Sequence, residues 1–449
     1  MKKIVYLALP LIVSQLISVA LVLTDVWMMS RISVDALAAG GLGASVYTFI
    51  FVVSSSIVGC VANLIAIAFG QRAARPEHAE RQIRLAIKGA VLLSIVLTIV
   101  ISIIFVFIPH WLVLADQSPQ IVKSAMEYAD AMKWALLPSF LLLVLRGLTS
   151  AFGRVRSIMV MSILTVLINV PISYCFAFVF NMGLAGLGYG SSLAAFLVMI
   201  GYCAWVFSRH EFNRFAPWSN LKEYSFKLIL PLLSLGVPIA LAATLENGLI
   251  YGGTLLAGMI GVVALAVHQI LLQCLSFAWN INFGLSQAAA IMVGQDYGAD
   301  NPAGIKRTSW HSFVLVTAIS GVLSAIFILW PNAIQSLFGI SATNTDVSQL
   351  FNSVIWIVAL CFVVDGWQLL AINLLRGMKI VNRPTVSTAV GYWLFGLPSA
   401  WVLMSHFGLS GIWSGIGIGL AVTGVLLLLQ LNSAIGKQRN TTNVLKYQH

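Results

Sequence analysis

The amino-acid sequence predicts an all-α integral membrane protein with twelve transmembrane helices in two six-helix bundles. Three observations predict it. Apolar residues make up 59% of the chain and charged residues 9%, with a mean hydropathy of +0.95, whereas soluble domains carry roughly 25% charged residues. The apolar residues form continuous runs of about 20 or more, the length of a membrane-crossing helix and not the alternating pattern of a barrel strand. Lysine and arginine recur in every second loop, an alternation that twelve crossings close.

The first helix is expected over 4–30. It opens "MKKIVYLALPLIVSQ". The lysine pair suits a signal peptide, but the apolar run continues past Asp25 without a small-residue cleavage site, which makes it a first membrane helix. Pro10 lacks a backbone donor and supplies a hinge. Helix two, 36–70, leads into Arg72, Arg75, Arg81 and Arg84, and Lys88 opens helix three, 86–108. Helix four, 125–152, begins with Glu127, Asp130 and Lys133, spaced for ion pairing along a helix, and ends near Arg146. Helix five, 157–180, carries Asn169 and Pro171; helix six, 184–208, follows a glycine-rich turn. The longest polar loop, Ser208 to Lys227, comes next. The remaining helices are expected over 228–257, 262–293, 308–330, 347–375, 384–406 and 410–433. Their basic loops hold Lys306 and Arg307, then Arg376, Lys379 and Arg383, then Lys437, Arg439 and Lys446. The opposite side holds little beyond Arg31, Lys123 and Lys133. Both termini are therefore expected in the cytoplasm. The domain plan is a first lobe over 1–208, a linker over 209–227, a second lobe over 228–433 and a tail over 434–449.

The two halves repeat. A shift that brings Pro10 onto Pro238 also brings Ala36–Ala38 onto Ala264–Ala266. With a small gap, "FGQRAA" at Phe69 meets "VGQDYGA" at Val293, and "MGLAG" at Met182 meets "FGLSG" at Phe407. Pro171 and Pro398 lie in the fifth helix of each half. Six helices per half give both halves one orientation, so the pseudo-two-fold axis runs along the membrane normal, a common secondary-transporter plan.

Three of the fourteen acids lie well inside membrane helices: Asp25, Glu246 and Asp365. A charge at that depth is costly and functional by default, and no buried Lys or Arg is evident as a partner. A carboxylate in a low-dielectric setting favours its neutral form, and a nearby cation favours its charged form, so such a group can exchange a proton for a cation. Asp25 lies roughly 22 Å along the helix from Pro10, in the outer half of the membrane. Glu246 and Asp365 are expected to converge in the second lobe. Under the repeat Asp25 meets Gly253 and Glu246 meets Ser18, so the acid sites are not symmetric copies. Asn169 and Gln273 are candidate supporting polar groups, and Trp27 and Tyr174 candidate aromatic contacts for flat organic cations. His268 is read first as a structural histidine.

Other classes are excluded by what the chain lacks. The net charge of +11 follows from loop topology, and no basic stripe with interleaved aromatics suggests nucleic acid. The five cysteines fall inside apolar runs without ligand spacing, so neither disulfide nor zinc is expected. There is no HExxH, GxSxG or phosphate-binding loop, which argues against an enzyme or an ATP-driven pump. No cofactor is expected.

Five segments carry a family resemblance: "LTDVWMMSRISVDALAAGGLGAS", "FGQRAARPEHAER", "INVPISYCFAFVFNMGLAGLGYG", "ATLENGLIYGG" and "VVDGWQLLAINLLRGMK". In this order over twelve helices the chain resembles the multidrug and toxic compound extrusion (MATE) family, and its NorM-type more than its DinF-type branch. The resemblance implies a V of two lobes with a cleft lined by helices one, two, seven, eight and ten. It also implies a bacterial inner-membrane antiporter that works as a monomer and expels drugs and organic cations against inward protons, or alternatively sodium ions at Glu246 and Asp365. Two positions depart from the family pattern. Cys361 stands where NorM-type members often have a tyrosine, and Ser173 where DinF-type members have an aspartate. The first weakens the sodium variant; the second leaves Asp25 as the one carboxylate inside the first lobe. A lipid-linked oligosaccharide flippase of related fold is the remaining alternative, disfavoured because such proteins resemble fourteen-helix chains with an arginine-lined cavity.

Overall fold

The computed structural model of the chain describes residues 1–114, 117–338 and 345–447, with side chains to residue 438 apart from that of residue 345. Among them there is no strand, and twelve helices are long and apolar enough to cross a membrane. They are α1 (Lys2–Ile32), α2 (Val34–Ala73), α3 (Pro76–Leu114), α4 (Pro119–Ala151), α5 (Val155–Val179), α6 (Gly183–Ser208), α7 (Phe226–Ile260), α8 (Val262–Gly298), α9 (Pro302–Leu329), α10 (Asp346–Gly377), α11 (Asn382–Phe407) and α12 (Leu409–Gln438). Each expected apolar run matches one of them, the fourth, fifth and ninth running one residue past its end. Most of the helices extend further, because polar residues continue the helix beyond the hydrocarbon-length stretch. α1 passes through Pro10 without a break. Beyond Gln438 the backbone helix of α12 runs on to Tyr447.

Packing divides the chain at places other than the linker. One compact unit is Val13–Ala240; the other is Met1–Ile12 with Leu241–His449. The boundaries expected at 208 and 228 follow loop polarity, whereas these divisions follow burial. Ile4, Leu7, Ala8 and Leu11 are buried, an i, i+3, i+4, i+7 stripe that seats the start of α1. Its end is fixed at Gly284 of α8, where an added Cβ would lie 2.8 Å from the Ile12 backbone. The start of α7 is seated likewise in the first unit. Leu232, Leu235 and Ile239 are buried, and a Cβ at Gly236 would lie 2.7 Å from the Ile57 backbone of α2. The Cys60 thiol also donates to Leu232 O.

The repeat is visible in the glycines. Gly183 and Gly408, which open α6 and α12, both have positive φ, +57° and +56°, a left-handed conformation that glycine adopts without a Cβ clash. Three residues on, Gly186 and Gly411 lie against the backbone of the preceding helix, at Phe176 and Leu403. Gly190 and Gly415 follow, against Ser173 and Ala400. Each fifth helix also contains a π-helical stretch, Cys175–Val179 in α5 and Val390–Gly396 in α11.

Ion pairs fasten the linker within the first unit. Glu223 meets Arg84 at 2.8 Å and Lys88 at 2.7 Å, Glu211 meets Arg154 at 3.2 Å, and Glu80 meets Arg214 at 2.6 Å. Lys88 is fully buried. Its charge, read from sequence as a loop marker, is matched by this carboxylate. Of the acidic set that opens helix four, Asp130 pairs with Lys133 at 3.1 Å.

Candidate functional site

The three intramembrane acids separate into two groups. Asp25 belongs to the unit Val13–Ala240, and Glu246 and Asp365 to the other. Each group is built from the helices of its own unit.

Asp25 sits on α1 one turn before Met28 and Met29, both buried in an apolar cluster with Tyr128 of α4, Ala177 of α5 and Leu184 of α6. Its Oδ1 is buried and accepts no hydrogen bond. Its electrostatic neighbour is the Tyr128 phenol, which also interacts with Tyr47. Tyr47 stacks on Phe51, and Phe51 on Phe140, each at 5.9 Å. A carboxylate with an unmatched oxygen beside phenols and methionines has two ways to gain stability: to take a proton or to take a cation.

The second group is larger. Asp365 on α10 is buried, interacts electrostatically with Glu246 of α7 and is hydrogen-bonded by Gln368 one turn on. Glu246 accepts from Trp279 Nε1 of α8 at 3.2 Å and interacts electrostatically with Arg376 at the C-terminal end of α10. Tyr392, in the π-helical stretch of α11, interacts with Glu246, Asp365 and Arg376 together. Its hydroxyl is buried without a hydrogen-bond partner, as is Gln368 Oε1. The next residue, Trp393, anchors that stretch to α7 by donating to Leu245 O at 3.2 Å. Glu246 and Asp365 thus share one site, and Arg376 supplies the basic partner that sequence alone did not reveal.

Arg376 was hidden because it ends a predicted helix and counts toward loop charge. One signal existed. "LRG" occurs at Leu145–Gly147 and again at Leu375–Gly377, the ends of helices four and ten. In both, the glycine lies against a neighbouring helix, Ala62 of α2 or Ala290 of α8, which holds the arginine among packed helices. Arg146 has Tyr202 as its electrostatic neighbour where Arg376 has Glu246.

The supporting residues are scattered. Asn169 is buried and donates to Ser191 at 3.0 Å; it accepts from Ser173 at 3.3 Å. It thereby ties α5 to α6, with no hydrogen bond to Asp25. Gln273 is exposed. Tyr174 is 49% exposed and pairs with Phe178 at 4.9 Å. Trp27 is 51% exposed, with the Arg31 guanidinium 5.2 Å from its ring. His268 is buried, with Nε2 3.3 Å from Thr254 Oγ1. All five cysteines are free, and no cluster of three His, Cys, Asp or Glu suited to a metal occurs among the described residues.

The MatE family model matches the sequence twice, over residues 10–175 and 238–402. The two matches begin at Pro10 and Pro238, the positions that the internal repeat superposes. A probable multidrug resistance protein NorM of Mesorhizobium japonicum is 32% identical over 430 residues, covering 94% of this chain and 91% of that protein. Its counterpart in Pseudomonas putida is 31% identical over 436 residues, covering 95% and 93%. Among solved structures, a MATE in the bent conformation superposes with a TM-score of 0.88 at 18% identity, covering 98% of this chain and 97% of that one. An outward-facing multidrug resistance MATE family transporter of the MOP superfamily gives 0.88 at 18% identity over 98% and 96%. At such identity the likeness shows the fold.

Proposed function

Because the chain belongs to the MatE family of multidrug efflux transporters, we propose that it is an antiporter that expels organic cations and drugs in exchange for inward protons, with Asp25 as the principal coupling carboxylate. The observation that carries proton coupling is the buried, unpartnered Oδ1 of Asp25. Deprotonated, the group recruits water or the cationic drug; protonated, it is neutral and tolerates its apolar neighbours Met28 and Met29. Pro10 gives α1 a place to bend as that balance changes. A bias of a few kcal/mol is enough to move a two-state population substantially.

Glu246 and Asp365 form a second coupling site. Arg376 balances one carboxylate and leaves one net charge to exchange. Sodium is the alternative ion there, favoured by the unpartnered oxygens of Tyr392 and Gln368 beside the two acids. The transporter sits in the bacterial inner membrane with both termini in the cytoplasm, in line with the basic alternate loops, and no enzymatic step is involved.

Efflux from reconstituted vesicles, with proton and sodium gradients imposed separately, is the test. The proton gradient alone should drive export in the native protein and fail in Asp25→Asn, while that variant still inserts and elutes as native. Full pH-dependent export by Asp25→Asn would remove Asp25 from the role. Export on sodium alone would reassign coupling to the Glu246–Asp365 site.

A further inference from the structure

The linker is pinned to α3 at a definite level. Glu223 accepts from Lys88 at 2.7 Å and from Arg84 at 2.8 and 2.9 Å; Lys88 also donates to Asn220 O at 2.9 Å. Lys88 is the last charged residue of α3. From Gly89 to Leu114 the helix holds no Asp, Glu, Lys or Arg. At Gly89 the start of α7 packs so closely that an added Cβ would lie 2.6 Å from Leu228 O. Residues 223 and 228 are therefore both held where the charge of α3 gives way to a stretch long enough to cross hydrocarbon.

Around these two pins, side chains of a particular kind are left uncovered. Phe226 is 74% exposed, Leu221 66% and Trp218 59%, and Lys222 and Lys227 between and beside them are exposed as well. Leu230, one turn past Phe226 on α7, continues the apolar strip onto the membrane-crossing helix at 63% exposure. Aromatic and aliphatic side chains alternating with lysines, at the depth where hydrocarbon begins, match the boundary between acyl chains and headgroups.

We propose that Trp218–Lys227 is a lipid-binding anchor, with Trp218, Leu221 and Phe226 inserted at the surface of the bilayer and Lys222 and Lys227 on anionic phospholipid headgroups. The lattice of Glu223 with Arg84 and Lys88 sets the depth of insertion. The segment forms a lipid contact of the linker itself, separate from the transport reading and independent of it.

Site-directed spin labelling tests this without any transport assay. In a Cys175→Ser/Cys203→Ser background, nitroxides are placed singly at Leu221→Cys and Phe226→Cys, with exposed Asn213→Cys as the aqueous reference. The full-length protein is reconstituted in phosphatidylcholine vesicles with or without phosphatidylglycerol. Relaxation by oxygen should dominate at 221 and 226, and relaxation by a water-soluble nickel chelate at 213. Phosphatidylglycerol should deepen the first two. Two lysines at an anionic surface favour immersion by an order of magnitude or more, so Lys222→Gln/Lys227→Gln should remove about tenfold of that gain. Glu223→Gln should shift the labels at 221 and 226 toward nickel. Nickel-dominated relaxation at 221 and 226 in both lipids, as in water, overturns the proposal, and so does weak relaxation by both agents, as under a covering protein surface. So does a depth that is the same with and without phosphatidylglycerol.

Discussion

Glu246 and Arg376 interact electrostatically inside one unit, so removing one charge leaves the other less compensated. Glu246→Gln should lower stability by about 1 to 3 kcal/mol through the less compensated guanidinium. Glu246→Gln/Arg376→Gln should recover part of that loss, with a coupling of about 1 to 3 kcal/mol. Thermal unfolding of the four proteins in detergent measures the cycle, and strict additivity would show that the two groups act apart. Glu223 allows a second prediction at this scale, with pH as the variable. Its hydrogen bonds from Arg84 and then Lys88 hold its carboxyl down at about 2, against an ordinary 4.5. A group whose value is depressed on folding stabilises the fold above its ordinary value, and that contribution fades as pH falls toward the depressed one. The unfolding temperature of the native protein should therefore exceed that of Glu223→Gln at pH 7, and the gap should narrow as pH drops below about 4.5. A gap that does not change from pH 7 to pH 3 would mean that ionised Glu223 adds nothing. The acids were legible in the sequence because a carboxylate in an apolar run stands out. Arg376 and Lys88 were not, because both lie at the ends of expected apolar runs, where a basic residue ordinarily reports topology. Trp27, Tyr174 and Gln273 show the converse limit. Sequence places them on membrane helices, but helix rotation decides what they touch, and hydropathy is silent on rotation when a helix is apolar all round.

At the scale of elements, the glycine ladder decides how closely α5 meets α6 and α11 meets α12. Gly190 lies against the Ser173 backbone, whereas Gly201, further along α6, has no heavy atom within 4 Å of its would-be Cβ. Gly190→Ala should therefore destabilise by about 1 to 3 kcal/mol through overpacking. Gly201→Ala should be neutral or stabilise by up to about 1 kcal/mol, as expected for alanine replacing glycine in an open helix position. Matching unfolding temperatures for the two variants would refute the close approach. The twelve helices were readable because hydrophobic length alone specifies a crossing, and the repeat was readable because Gly183 and Gly408 sit in matching motifs. The π-helical stretches were not, because a one-residue insertion into the hydrogen-bond ladder leaves hydropathy unchanged.

For the whole molecule, the polar linker marks a division in connectivity, whereas the chain passes from one packing unit to the other inside α1 and α7, between Ile12 and Val13 and between Ala240 and Leu241. No polarity signal marks those points, which is why the sequence located the boundary in the loop. Deleting Met1–Ile12 should then loosen the distant unit that contains Leu241 onward, exposing Gly284 of α8 while leaving the unit Val13–Ala240 protected. Hydrogen exchange on the truncated protein checks this, and increased exchange confined to the first unit would contradict it.

The same division sets an order of events during synthesis. Met1–Ile12 leaves the ribosome well before the rest of the unit in which it packs, which starts again at Leu241. At about 5 to 20 residues per second, the intervening roughly 230 residues take on the order of 10 to 45 seconds to make. For that interval the stripe of Ile4, Leu7, Ala8 and Leu11 lacks the unit in which it packs, and the nascent chain must hold it in lipid or in the insertion machinery. The start of α1, although made before α2 to α7, reaches its final neighbours after them.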